Sequence, residues 1–383
     1  MPNLHDYVLW RGDLSFDQSP MNEVDDLLLS QLAYVSFGPF VPGAGLFPQY
    51  VTLRAAAERL LEYDREGQRI HQHAFMWKNI RRLLELCAAS ERYGHIRLKA
   101  YVDELTDDSQ FAAVCMEINE KLTVIAFRGT DDSIAGWKED LLMALSDPIP
   151  AQLRAAEYLK HIAPHIKGKL VLTGHSKGGN LAVFAAAYAP EETQKRILRI
   201  ANLDGPGFSK GLISTLGYEK IREKLSVMLP ESSLVGRLLE HEDQYHIIDS
   251  KALGILQHDA FSWQVQGAVL LRAEHMTASS EYLSAVVKNW LEGLNDTQRR
   301  EFLEAVFETF EAMEAKTISD APGAFFSALP QIIRKMRTLD KEHKDVVLKL
   351  LRELGEASLK SLRRNVLLRD IDFLQPGDDA SLD

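Results

Sequence analysis

The sequence predicts an α/β fold: a mainly parallel sheet flanked by helices, with helical additions at the N-terminal and C-terminal ends. Three observations predict it. The segment Gly174-His175-Ser176-Lys177-Gly178 stands between an apolar run, Lys169 to Thr173, and an alanine-rich helical run, Leu181 to Ala189. That is a strand, a sharp turn and a helix. Beyond it, strand-like runs continue to alternate with helical ones, and apolar strands flanked by helices point to parallel pairing. Apolar residues make up 46% of the 383 residues, enough for a sizeable core.

Residues 1–95 read as a helical segment packed on the core, with no catalytic spacing of its own. Leu27, Leu28, Leu29, Leu32 and Ala33 share an apolar face behind Asp25 and Asp26 near a helix start. Val51 to Tyr63 and Phe75 to Ala89 are two further helical runs, and Trp10-Arg11-Gly12-Asp13 is a turn signal. The core is placed at 96–280. Phe111 to Ile118 and Leu122 to Phe127 are strands joined by a turn at Asn119 and Glu120. A helix over Ala151 to Ile166 leads to the strand before Ser176. Ile197 to Leu203 is the next strand. The polar helical run Tyr218 to Lys224, a strand from Leu225 to Met228 and a strand from Tyr245 to Asp249 follow. A helical extension is expected over 281–370, capped at Asn295 and broken at Gly323 and Pro330. Residues 371–383 read as a disordered acidic tail.

Lys and Arg total 44 against 55 Asp and Glu, a formal charge of −11. That balance repels phosphate backbones, and no basic tract with interleaved aromatics occurs, so no nucleic-acid partner is expected. Cys87 and Cys115 fall in apolar segments and read as buried thiols, which excludes a disulfide scaffold. The start of the chain has no secretory pattern and no apolar run is long enough to span a bilayer, so the expected location is cytoplasmic. There is no His-Glu-x-x-His, no paired Cys-x-x-Cys and no Gly-Lys-[Ser/Thr] after a glycine-rich loop. Neither metal nor cofactor is expected.

The turn sequence makes Ser176 the candidate nucleophile of an α/β-hydrolase fold. A serine needs a base, and in this fold the chain order is serine, acid, histidine. His258, in a loop past the strand ending at Asp249, is the leading base, and His241 is the alternative. His246 falls inside a strand pattern. Asp204, ending a strand and opening Asp204-Gly205-Pro206-Gly207, is the leading acid. Glu231, after the following strand, is the alternative, ahead of Asp249 and Asp259. The oxyanion donors expected are the backbone N–H of Lys177 at the helix start and Thr130, through both its N–H and its hydroxyl.

Phe127-Arg128-Gly129-Thr130, then Trp137-Lys138-Glu139-Asp140-Leu141, then Gly174-His175-Ser176-Lys177-Gly178-Gly179 resemble the class 3 (fungal-type) lipase pattern over residues 111 to 260. Nearly the whole chain resembles an uncharacterised lipase-like, intracellular bacterial hydrolase family. That family has Gly-His-Ser-Lys-Gly-Gly-Asn-Leu-Ala at the turn and shares Trp10-Arg11-Gly12-Asp13 and Gln257-His258-Asp259. The lipase match makes Ser176 the nucleophile and Thr130 the side-chain oxyanion donor. Two departures stand out. Lipases carry an uncharged residue at Lys177, whose cation is expected to meet an anionic group or point to solvent. They also place the acid in an Asp-x-Val-Pro turn, where this chain has Ser233-Leu234-Val235-Gly236. That shifts weight to Asp204.

The expected activity is an esterase or lipase-like hydrolase acting on a small acyl ester, thioester or lipid-like substrate. The alternative is a non-catalytic hydrolase-fold protein used for binding or assembly. The apolar face at Phe302, Val306, Phe307 and Phe310 suits packing on the core or a homo-oligomer. Helical runs between Gly207 and Leu239 suit either a lid or fixed connectors.

Overall fold

A computed structural model describes residues 2–65, 77–106, 109–131, 139–140, 142–143, 148–237, 239, 245–293, 295 and 297–298. The expected extension from 299 onward, the acidic tail, His241, Trp137, Lys138 and Leu141 lie outside the described residues.

Eight strands form one sheet in sequential order: β1 Val51–Thr52, β2 Arg97–Leu105, β3 Gln110–Asn119, β4 Leu122–Phe127, β5 Lys169–His175, β6 Ile197–Leu203, β7 Leu225–Pro230 and β8 Tyr245–Ile248. β1 to β4 pair antiparallel, and β4 to β8 pair parallel. This is the α/β-hydrolase fold expected from the sequence. β2 was not foreseen, and Val51 and Thr52 pair as a strand edge before their helix begins at Leu53.

The sequential order decides how the layers are built. Right-handed crossovers that always step in one direction place their helices on one face of the sheet. The helices Pro150–Ile162, Lys177–Ala187 and Leu216–Ile221 accordingly share a core with Cys115, Ile125, Phe127, Leu170, Leu172 and Ile200. The alternate strand residues Val114, Met116, Val124, Ala126, Val171 and Ala201 point the other way and meet the N-terminal helices. Strand periodicity of two thus divides the apolar runs between two cores. In the helix Glu23–Leu32, Leu27, Leu28, Leu29 and Leu32 are fully buried, each worth about 1.5–3 kcal/mol.

Charged pairs fasten this layer. Asn22 and Asp25 form a capping box at the start of that helix, as a helix-start signal requires. Asp25 also takes a bidentate pair from the buried Arg92 guanidinium. Asp26 holds Arg199 of β6 through both oxygens, at 2.6 and 2.8 Å. Asn295 accepts from the N–H groups of Thr297 and Gln298, both at 3.0 Å, and so caps the short turn after the helix Ala278–Gly293. Among the described residues no helix is long and apolar enough to cross a membrane.

Candidate active site

Ser176 sits between β5 and the helix Lys177–Ala187, with φ 57° and ψ −136°. A serine in that backbone region is strained by about 1–3 kcal/mol. The surroundings enforce it: Ser176 N–H donates to Leu203 O of β6 at 2.9 Å, and Gly179 N–H to Ser176 O at 2.9 Å. A Cβ at Gly174 would lie 2.1 Å from the Gly178 backbone, so the doubling-back admits only glycine there.

Asp204 follows β6 directly. Its backbone is also left-handed, at φ 53°, and its N–H donates to Met228 O at 2.8 Å. His258 Nδ1 lies 2.6 Å from Asp204 Oδ2. An ionised carboxylate only accepts, so Nδ1 carries the proton and Nε2 keeps its lone pair. The other oxygen, Oδ1, accepts a short hydrogen bond from the Ser233 hydroxyl, which in turn accepts from Gly236 N–H at 3.1 Å. Asn180, from the helix after Ser176, donates to the carbonyls of Pro206 and Gly207 at 3.2 and 2.9 Å and holds the loop behind Asp204.

Glu231 does not approach this imidazole by hydrogen bond. Its carboxylate accepts from Gln257 Nε2 at 3.1 Å, one residue before His258. Gln257 also accepts from Ser232 N–H at 2.7 Å, which pins the His258 loop to the end of β7. His246 lies exposed in β8.

His175, the residue before the candidate nucleophile, packs its ring 4.7 Å from the ring of His258. Its Nε2 lies 2.8 Å from the His258 carbonyl oxygen and its Nδ1 lies 3.2 Å from the Tyr34 hydroxyl. The carbonyl can only accept, so Nε2 carries the proton and Nδ1 accepts from Tyr34. Burial, aided by the nearby His258, holds His175 well below the usual imidazole range and therefore neutral. Among the described residues Ser176 Oγ makes no hydrogen bond. Catalytic hydrogen bonds of this kind commonly close only with substrate in place. Tyr34 comes from the N-terminal segment, which carried no catalytic signal in the sequence. A Cβ at Gly129 would fall 2.2 Å from its hydroxyl and 3.0 Å from Ser176 Cβ. The three residues thus meet in one close-packed corner.

The loop after β4 is anchored by Arg128, which grips Asp103 of β2 with two hydrogen bonds, at 3.0 and 2.7 Å. Thr130 Oγ1 donates to Asp140 Oδ1 at 2.7 Å. In this arrangement the Thr130 hydroxyl is directed at Asp140. A hydroxyl has one proton, and while Asp140 is ionised that proton is engaged. Burial pushes the Asp140 carboxyl up to about 6, opposed by Lys177 and Thr130. Of the two expectations for the Lys177 cation, an anionic partner or solvent, the partner is the one found, and it lies inside the protein. The Lys177 side chain is 1% exposed, and Nζ donates to Glu139 Oε2 at 2.9 Å. It reaches neither solvent nor an open anion site. Its own N–H, in the first helical turn, has no intrahelical acceptor.

A strained serine thus follows β5, and a buried carboxylate after β6 holds the His258 imidazole. The Mbeg1-like family model matches residues 87–308, more than half of the chain, and the chain belongs to that family. Among solved structures, a crystal structure of M37 lipase is similar to this chain at 14% identity and a TM-score of 0.35. The match covers 65% of this chain and 84% of the lipase. No curated protein matches the chain.

Proposed function

We propose that this chain is a cytoplasmic serine hydrolase that cleaves a carboxylic ester or thioester through an acyl-enzyme. The observation that carries the reading is the 2.6 Å contact of Asp204 Oδ2 with His258 Nδ1, beside the turn that lifts Ser176 from the sheet. Ser176 Oγ attacks the acyl carbon and its proton passes to His258 Nε2. Asp204 stabilises the imidazolium without taking the proton. The oxyanion is held by the N–H of Lys177, reinforced by the helix dipole, and by Thr130. Collapse breaks the bond to the leaving alkoxide or thiolate, which takes the proton from His258. Water, activated by the same imidazole, then attacks the acyl-enzyme and releases the acid and Ser176. No metal or cofactor enters this scheme. The buried free thiols of Cys87 and Cys115 fit a reducing compartment.

Kinetics on short and long acyl esters and thioesters test the proposal. Turnover should appear with wild type and vanish in His258→Ala at unchanged fold. Loss in His241→Ala instead would reassign the base. A folded protein with no turnover on any of these substrates favours the alternative, a non-catalytic binding protein on a hydrolase fold.

A further inference from the structure

Lys177 and Glu139 are both withdrawn from water, at 1% and 0% side-chain exposure. Burying an ion pair gains little stability, because desolvation offsets the attraction, and an apolar pair of the same volume often serves as well. The helix start therefore has no need of a lysine for stability alone.

The geometry supplies another role. Lys177 Nζ has three acceptors: Glu139 Oε2 at 2.9 Å, Gln110 O at 3.2 Å and Gln110 Oε1 at 3.4 Å. Glu139 is bound from three directions besides Lys177. It accepts from Ser109 Oγ at 2.8 Å, from Gln110 N–H at 3.1 Å and from Ala151 N–H at 2.9 Å. Ala151 lies in the first turn of the helix Pro150–Ile162, where the dipole favours a carboxylate. Glu139 is thus held fixed against β3 and that helix. The next residue, Asp140, holds the Thr130 hydroxyl. Two adjacent carboxylates consequently grip the two residues that flank the oxyanion: Asp140 grips Thr130, and Glu139 grips the residue whose own N–H is the other donor.

We infer that Lys177 and Glu139 are a positioning pair for the oxyanion hole, setting the Lys177 N–H at a fixed separation from Thr130 through the Glu139-Asp140 dipeptide. The inference rests on the serine hydrolase reading. It assigns the Lys177 ammonium no contact with substrate. Its effect is on the placement of a backbone donor used in the transition state, so it should appear in kcat rather than KM.

The test compares Lys177→Met, Glu139→Gln and the double variant with wild type, using ester kinetics, the rate of fluorophosphonate labelling and thermal unfolding. Displacing one donor should lower kcat and the labelling rate on the order of 10–100-fold, with KM within about twofold. The double variant should lose no more than the worse single variant, because the two side chains act as one unit. Glu139→Gln keeps the shape and the two hydrogen bonds that Oε1 accepts, from Ser109 and Ala151, while losing the acceptor that faces Lys177, and it carries the test alone if Lys177→Met does not fold. Wild-type kcat in folded Glu139→Gln, or a lower melting temperature with unchanged kcat, would overturn the inference and leave the hydrolase reading intact. A folded wild type without Ser176-dependent turnover would remove both.

Discussion

Ser233 donates its hydroxyl to Asp204 Oδ1, and the opposite oxygen of the same carboxylate holds His258 Nδ1. Ser233 stands in the turn after β7 where the resembling lipases keep their acid. Here the carboxylate that bonds the imidazole stands after the neighbouring strand, β6, and Ser233 supports it with a hydrogen bond. Ser233→Ala should therefore lower kcat about tenfold while leaving the protein folded, since a buried carboxylate loses one charge-assisted bond. Steady-state kinetics at saturating ester check this. An unchanged kcat would show that the bond does not orient Asp204.

The choice of acid is testable by a pair of isosteric changes. Asp204→Asn should reduce kcat by about 10³–10⁴, by removing the partner that fixes the imidazole tautomer. Glu231→Gln should stay within a few-fold of wild type, because Glu231 bonds Gln257 rather than the imidazole. The reverse pattern in kcat would move the acid to the end of β7.

Tyr34 and His175 form a strut from the N-terminal layer to the backbone of the His258 loop. Tyr34→Phe removes one neutral hydrogen bond, worth about 0.5–1.5 kcal/mol. It should lower the melting temperature slightly and kcat a few-fold. Thermal unfolding and ester kinetics on the same sample measure both.

Two buried groups give stability opposite slopes with pH. Asp140 is raised from an ordinary 3.8 to about 6, so its folded state binds more protons over that window. Its contribution is complete below about pH 4 and is lost as pH rises through 6. His175 is lowered well below 6.5, so its contribution is present above 6.5 and is lost as pH falls. Denaturant titrations between pH 4 and 8 should show wild type losing stability relative to Asp140→Asn as pH rises to 6. They should show it gaining relative to His175→Gln from pH 5 to 7. A flat difference for either variant would contradict the cause assigned to that group.

The serine turn was legible because its signal is local: a strand, small residues and a helix within a dozen positions. Asp204 and His258 were legible because each ends an element or leaves one in the required chain order. What escaped depended on distant partners. Tyr34 reaches His175 across 141 positions, and nothing around it suggests a catalytic neighbour. Lys177, in the first turn of a helix, suits either an anionic partner or solvent, and the choice is made only when Glu139, 38 positions earlier, is brought beneath it. β2 lacks a clean apolar pattern because Lys99 turns inward to pair with Glu117 and Asp103 serves Arg128.

The measurement that bears most directly on the central claim is peptide-mapped mass spectrometry after reaction with a fluorophosphonate. The account predicts one phosphonyl adduct, on Ser176, absent in Ser176→Ala and formed at least about 100-fold more slowly in His258→Ala. Folded wild-type protein with no adduct, or an adduct that persists in Ser176→Ala, would contradict it.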